Sequence, residues 1–483
     1  MPTSICRSRC SRSCRRWSAT GTPSTDSSRT GSSRRSSINA FDTSLSVGRL
    51  CTDEVRLAQA ADDFGHCVSA RPAAVVVPGS TAEVQGVISY ARTRGLRVAA
   101  RGAGHSTYGQ SQCADGIVLD MTGLRAVHEV AADRVVVDAG ALWSDVVDAS
   151  LTRRLTPPVL TDYLGTTVGG TLSVGGFGGA SHRHGAQTDN VLALEVVTGT
   201  GTRLTCSATE NRELFDSVRG GLGRFGVITR ATLSLTPARE RTRWYRIWYD
   251  DLAFFLADEQ RFVDEGMYDH VQGRIIPAAD GTWRYRIELA RHYTRRQPPD
   301  AAGLFPACGR ARDVEQAEDL VHADFINRMA AGESRLRAAG DWFRPHPWLN
   351  VLLPAHATAA FVRSALAGLT VDTLGRSGLV MAYPVPTARL RTPFVRTPAA
   401  TTAFMFALLR TTAPGTERSA VSANRSLYER ALAVDAVAYP VNALPMSAAD
   451  WRRHFGPRWH DFVQAKHRFD PHGVLTPLEH ETR

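Results

Sequence analysis

The sequence predicts an α+β protein that holds a ligand at the ends of its strands. Three observations lead there. A βαβ pattern occupies residues 73–100 and runs directly into a glycine loop, Arg101-Gly102-Ala103-Gly104-His105-Ser106-Thr107, that carries one histidine. A second stretch, Gly169 to Gly179, holds six glycines in eleven residues. Strand, helix and strand in succession argue for a packed layer, and glycines beyond what a turn needs argue for backbone lying close to a flat or anionic ligand.

Taken in order, Ala73 to Val77 reads as a short buried strand and Pro78-Gly79 as a turn. Ser80 with Glu83 forms a capping box before a helix from Ala82 to Arg94. Leu96 to Ala100 is the second strand. In the loop that follows, Gly102 and Gly104 are expected to take positive φ and turn their N–H groups toward an anion. Gly116 to Asp120 and Val135 to Asp138 read as strands, and Leu142 to Leu155 as an amphipathic helix starting at Ser144 or Asp145. Further on come a helical run, Asn211 to Arg219, and a strand, Val227 to Leu235. Between them Gly221-Leu222-Gly223-Arg224-Phe225-Gly226 satisfies G-x-G-x-x-G, but a dinucleotide fingerprint follows a strand and opens a helix, and here the order is reversed. Ser181-His182-Arg183-His184 has no third ligand at a metal-binding spacing and reads as a polar loop wall, so no metal is expected.

The 483 residues suffice for two or three lobes with real cores, and 43% apolar with 22% charged residues is ordinary for a globular protein. The net charge of +10 is concentrated at one end: residues 1–40 hold eight arginines against one aspartate, which leaves +3 for the rest. Without a basic stripe in the body, nucleic acid is not an expected partner. No apolar run approaches the roughly 18 residues of a membrane span. The Arg- and Ser-rich tail has too few apolar residues to form a core and is expected to be disordered, either a transit-like segment or an upstream mis-assigned start. Of eight cysteines three lie in this tail, and Cys51, Cys67, Cys113, Cys206 and Cys308 match no zinc spacing. Free thiols, and hence a cytoplasmic location, are the expectation.

Several motifs together resemble a known family. These are Arg101 to Ser106, Thr161-Asp162-Tyr163-Leu164, Thr167-Val168-Gly169-Gly170-Thr171-Leu172-Ser173, Arg183-His184-Gly185, Gly220 to Ala231, Pro345-His346-Pro347-Trp348-Leu349-Asn350, Trp451 to Gly456 and Phe469-Asp470-Pro471. They are similar to those of the cytokinin dehydrogenases, of the vanillyl-alcohol oxidase class of FAD enzymes. The resemblance runs from about residue 45 to 478 and is densest before residue 240. It implies an α+β, two-domain flavoprotein: a sequence-split FAD-binding domain of the PCMH type at 45–240 and 439–483, with a substrate-cap domain at 241–438 between the two pieces. FAD contacts carry over to Ala100, Arg101, Gly102, Ala103, Gly104, His105, Ser106, Gln110, Asp162, Thr167, Gly170, Ser173, Phe177, Val227, Ile228 and Tyr439.

The resemblance also implies roles. His105 would be joined to the 8α-methyl of the isoalloxazine. Berberine-bridge-type relatives add a cysteine near the position of Gly165, so one covalent link is expected here and not two. Oxidising an amine by hydride transfer calls for a base. Asp162 stands where the family keeps it, with Glu288, in Tyr285-Arg286-Ile287-Glu288-Leu289-Ala290, as its catalytic partner. Two carboxylates sharing a proton would raise one pKa. The bland alternatives are a turn-capping Asp162 and an exposed strand carboxylate at Glu288. The expected reaction is oxidation of the C–N bond that carries the alkenyl group of N6-alkenyl adenines, with a quinone or oxygen as electron acceptor. The alternative is an oxidase of an alcohol, sugar or secondary-metabolite intermediate on the same fold. Two departures bear on substrate: Pro477-Leu478-Glu479 replaces the family's Pro-Gly-Gln, and Leu390, after Tyr383-Pro384, replaces a tryptophan.

Overall fold

The computed structural model describes residues 48–476 apart from 279, 300–310 and 312. The Arg- and Ser-rich tail, Cys308 and Pro477-Leu478-Glu479 lie outside the described residues. The βαβ unit forms a four-stranded sheet in the order Arg49–Cys51, Ala74–Val77, Ile117–Asp120, Val98–Arg101, the last three parallel. The helix Thr81–Thr93 packs on it through Val84, Val87, Ile88 and Ala91, which share one face at helical spacing. Ser80 Oγ accepts the Glu83 N–H at 3.2 Å as a cap should, whereas Glu83 Oε2 takes the Gly79 N–H at 2.6 Å, one residue before the position a capping box uses. The second strand starts at Val98, later than expected, because Gly95 at φ +63° and a bond from Leu96 N–H to Ala91 O at 2.9 Å finish the helix first. The helix after it spans Trp143–Leu151 and stops short of Leu155. Arg154 takes φ +57°, and Leu155–Thr156 pairs as a strand with Thr236–Pro237.

An antiparallel sheet lies beside this unit, in the order Val127–Val130, Arg134–Asp138, Gly226–Ser234, Val191–Thr198, Arg203–Ser207. A third, larger antiparallel sheet runs in sequence from Arg241 to Ala438. Its centre is Arg241–Tyr249, Trp283–Tyr293, His270–Pro277, Leu379–Pro386, Thr402–Leu409 and Leu349–Pro354. The helices Leu252–Glu265, Ala355–Ala367 and Glu417–Leu432 share one apolar core with these strands. Period-two alternation sorts the strands' faces: Val271 and Ile275 enter that core, while His270, Gln272 and Arg274 take the opposite face.

The polypeptide then returns. Phe462, Ala465 and Phe469 of the helix Trp459–Phe469 pack with Leu214 and Phe225. Beyond it Leu475 bridges Val98 in parallel, with Val98 N–H bonded to Val474 O at 2.7 Å and Thr476 N–H to Val98 O at 3.0 Å. Lys466 fastens this end by donating to Asp470 Oδ2 (2.6 Å), Arg224 O (3.1 Å) and Leu475 O (3.2 Å).

Candidate active site

The two glycine-rich segments meet at the ends of the parallel strands. Gly104 takes φ +70° as expected, but Gly102 does not adopt positive φ. Its reason to be glycine is proximity: a Cβ there would sit 1.9 Å from Thr167 Oγ1. The loop's shape is imposed from outside by Asp63, which sequence reasoning missed. Only 3% exposed, Asp63 accepts the Gly109 N–H (2.6 Å), the Ser106 hydroxyl (3.0 Å) and the Gly65 N–H (3.1 Å). Burial pushes its carboxyl up to about 6, against the pull of those donors and of Arg101. Arg101 in turn donates to Asp62 O (2.6 Å) and Ser111 Oγ (3.3 Å).

His105 sits in an aromatic enclosure. Its ring stacks on Phe64 with centroids 4.0 Å apart and on Tyr163 at 4.8 Å, and Trp342 and Trp348 stand about its edge. Phe64 stacks on its other side against His346, nearly parallel at 4.1 Å. Burial, with His346 and Arg337 nearby, lowers the His105 imidazole to about 3, so at neutral pH the ring is uncharged and one nitrogen keeps a free lone pair.

Both segments line one cavity of about 740 Å³. Its wall includes the whole run Ala100 to Ser106, with Gln110, Asp162, Thr167, Gly170, Ser173, Phe177, Val227, Ile228 and Tyr439. Leu222 and Gly223 of the G-x-G-x-x-G run also reach it, but that run leads into the strand Gly226–Ser234 and opens no helix. The far end is mostly apolar, with Met381, Met405 and Leu409 of the large sheet beside Met329, and has Gln272, Arg274, Glu333 and Tyr383 among its polar members. There the Asp162 carboxylate accepts a hydrogen bond from the Arg328 guanidinium. Burial and then the charge of Asp162 hold the Tyr383 phenol well above its usual range.

A family described as an FAD binding domain matches residues 72–207, and one described as cytokinin dehydrogenase 1, FAD and cytokinin binding, matches 274–480. An uncharacterized oxidoreductase, ORF5 in the fasciation locus of Rhodococcoides fascians, is 52% identical over 88% of this protein and 97% of its own length. Cytokinin dehydrogenase 1 of Oryza sativa subsp. japonica is 35% identical over 89% of this protein and 91% of its own length, and cytokinin dehydrogenase 4 of Arabidopsis thaliana 33% over 88% and 91%. The protein belongs to the cytokinin dehydrogenase family. It is an FAD-dependent oxidoreductase of the cytokinin dehydrogenase type, with an FAD-binding and a cytokinin-binding domain in the vanillyl-alcohol oxidase-type arrangement. Such an enzyme acts on a small-molecule substrate and passes electrons to an acceptor.

The residues present fit FAD. Gly102, Gly104, Gly169 and Gly170 bring bare backbone to the cavity wall, and because a Cβ on Gly102 would lie 1.9 Å from Thr167 Oγ1 the two loops close together without side chains between them. Along that backbone a flat ring and a pyrophosphate have room and N–H groups.

For a cytokinin dehydrogenase the second carboxylate is displaced from its expected place. Glu288 is 1% exposed and does not line the cavity; it lies behind Arg274, bound to that arginine at 2.7 Å and to Arg286 at 2.6 Å. Asp162 and Glu288 each take guanidinium partners, and no bond joins them, so the proton-sharing pair is not formed. The reason is crowding by cations: Arg274 and Arg286 flank Glu288 at two-residue spacing on paired strands. Leu390 is not on the cavity wall; it packs, partly buried, against a cluster that includes Phe177 and Tyr383. The Ser181–His184 segment is a short helix whose His182 ring bonds to Gly179 O (2.8 Å) and Tyr268 O (3.1 Å), and no cluster able to hold a metal occurs among the described residues. Cys51, Cys67, Cys113 and Cys206 are free thiols. No helix among the described residues is long and apolar enough to cross a membrane.

Proposed function

We propose that the protein oxidises the C–N bond that carries the alkenyl group of N6-alkenyl adenines, giving an imine that hydrolyses to adenine and an aldehyde. The observation that carries this reading is the Asp162 carboxylate, held by Arg328 on the wall of a chamber whose other members are mostly apolar. An alkenyl group suits the methionine and leucine surfaces, and the amine N–H suits the carboxylate. When bound, FAD supplies the hydride acceptor. Asp162 takes up the amine proton while Arg328 holds its other side. As hydride leaves the α-carbon, positive charge gathers on the substrate nitrogen and its N–H becomes acidic, so proton transfer to Asp162 becomes downhill in the course of the reaction. Arg328 fixes the carboxylate's direction.

His105 is the proposed point of covalent flavin attachment. Its uncharged ring on the cavity wall can act as a nucleophile, which a protonated imidazole cannot. A single link is proposed because position 165 is glycine, and even a Cβ there would meet the Tyr163 hydroxyl at 2.2 Å. The test is twofold. Isopentenyladenine with an artificial quinone acceptor should be turned over to adenine; turnover of alcohols or sugars in its place would establish the other oxidase reading. Denatured wild type should keep its yellow colour, and denatured His105→Ala should release it. Complete release from wild type would end the covalent assignment.

A further inference from the structure

An imidazole is ordinarily aimed by a hydrogen bond at one of its nitrogens. Among the described residues His105 makes none, and the contacts that orient its ring are stacking contacts. The nearer is with Phe64, at 4.0 Å and 23° between planes, against 4.8 Å and 28° for Tyr163. Phe64 is also tied to the histidine loop through its backbone. Its N–H bonds to Gly104 O at 2.9 Å and the Gly65 N–H to Ser106 O at 3.1 Å, so the two bonds bracket His105 and fix the spacing of the two stretches of backbone. Gly65 permits this approach, because a Cβ there would lie 2.0 Å from Thr107 O.

The Phe64 ring is itself held from behind. The His346 ring lies parallel to it at 4.1 Å, the His346 N–H bonds to Gly65 O at 2.9 Å, and Trp342 and Trp348 pack at steep angles with centroids 5.1 and 5.3 Å away. Oxidation of the substrate, as described, gives this braced ring no part. We propose that Phe64 is a positioning residue for flavin attachment: its face sets the plane of the His105 imidazole and so points the in-plane lone pair at the 8α-carbon. The inference rests on the covalent link proposed in the preceding section. In that attachment a C–N bond forms between a ring nitrogen and the 8α-carbon. One proton leaves that carbon and one leaves the imidazole, while the electron pair of the broken C–H bond passes through the flavin to the enzyme's electron acceptor. Bond formation requires the lone pair to meet the carbon along the ring plane, and a ring free to tilt seldom presents it.

The test follows attachment itself. Full-length protein made flavin-free in riboflavin-starved cells is mixed with FAD, and the flavin fluorescence that survives denaturation is read against time. Phe64→Leu, which keeps apolar bulk without a flat face, should attach FAD about 10- to 100-fold more slowly at saturating cofactor. Phe64→Tyr, which restores the ring, should attach it within about threefold of the wild-type rate. Reversible binding, read by quenching of FAD fluorescence in a His105→Ala background, should change by less than about threefold when Phe64→Leu is added. An undiminished attachment rate in Phe64→Leu, or a Phe64→Tyr as slow as Phe64→Leu, overturns the proposal. Loss of reversible binding in Phe64→Leu also overturns it, by assigning the ring to the cofactor and not to the imidazole. Should Phe64→Leu fail to fold, Phe64→Met carries the same comparison. If wild type acquires no denaturation-resistant flavin, the covalent reading fails and takes this proposal with it; attachment at equal rates in wild type and Phe64→Leu sinks the Phe64 proposal alone.

Discussion

At the scale of single residues the site depends on how each charge is compensated. Asp162→Asn preserves size and can still contact Arg328, but it cannot take a proton. Flavin reduction by substrate, followed by rapid mixing, should slow by about 10²- to 10⁴-fold with little change in substrate affinity. Undiminished reduction would remove Asp162 from the reaction. Asp63 gives a pH signature. Its folded carboxyl is raised to about 6 from an ordinary value of 3.8, so the native state binds this proton more tightly than the unfolded state does. Its contribution is fully present below about pH 4 and is lost as pH rises toward 6, by roughly 3 kcal/mol at most for a shift of about two units. Denaturant unfolding of wild type and Asp63→Asn at pH 4.5 and 6.5 should show the stability difference moving against wild type at the higher pH. A constant difference would mean that the donors from Gly65, Ser106 and Gly109 outweigh burial. The histidine loop was legible because glycines beside a lone imidazole form a local pattern, whereas Asp63 was not: it lies 42 residues before His105, and its role exists only once the loop folds back over it.

At the scale of elements, local signals placed the pieces and neighbours trimmed them. The strand expected around Tyr285 to Ala290 lies inside Trp283–Tyr293, where Ile287 and Leu289 alternate with Glu288 and Ala290. The helix expected to reach Leu155 ends at Leu151 because Leu155 is taken by a strand partner 82 residues away, Pro237, which no pattern within the helix announces. The returning helix Trp459–Phe469 supplies a test. Lys466→Met would leave Asp470, wholly buried at its side chain, without its cation. Breaking a buried pair in this way costs about 3 kcal/mol, read as a lowered denaturant midpoint. Arg224, whose carbonyl Lys466 holds, lines the cavity, so the variant should also bind FAD more weakly. A shift under about 1 kcal/mol would show that the Val474 and Leu475 N–H groups bonded to Asp470 are sufficient by themselves.

At the scale of the whole molecule, one cavity joins loops near residue 100 to a sheet near residue 400 and to Tyr439, so ligand binding and global stability are coupled. In a His105→Ala background, where flavin would bind reversibly, FAD at about 100 times its Kd should stabilise the native state by about 2.7 kcal/mol and shift a single cooperative transition. Two transitions, only one of them responding to FAD, would show that the sheet from Arg241 to Ala438 unfolds independently of the cofactor. By itself the sequence determined the βαβ unit, the glycine loops, Asp162 within Thr161-Asp162-Tyr163-Leu164 and the kinship with flavin-linked dehydrogenases. Each of these is written in residues close together in the sequence, where backbone propensity and spacing act directly. Only the tertiary structure decided that Glu288 stands behind Arg274, that Leu390 is off the cavity wall and that Arg328 partners Asp162. Those outcomes depend on which side chains neutralise one another in a low-dielectric space, a competition that only folding stages: Asp162 meets Arg328 from 166 positions away, and Arg274 reaches Glu288 from the neighbouring strand.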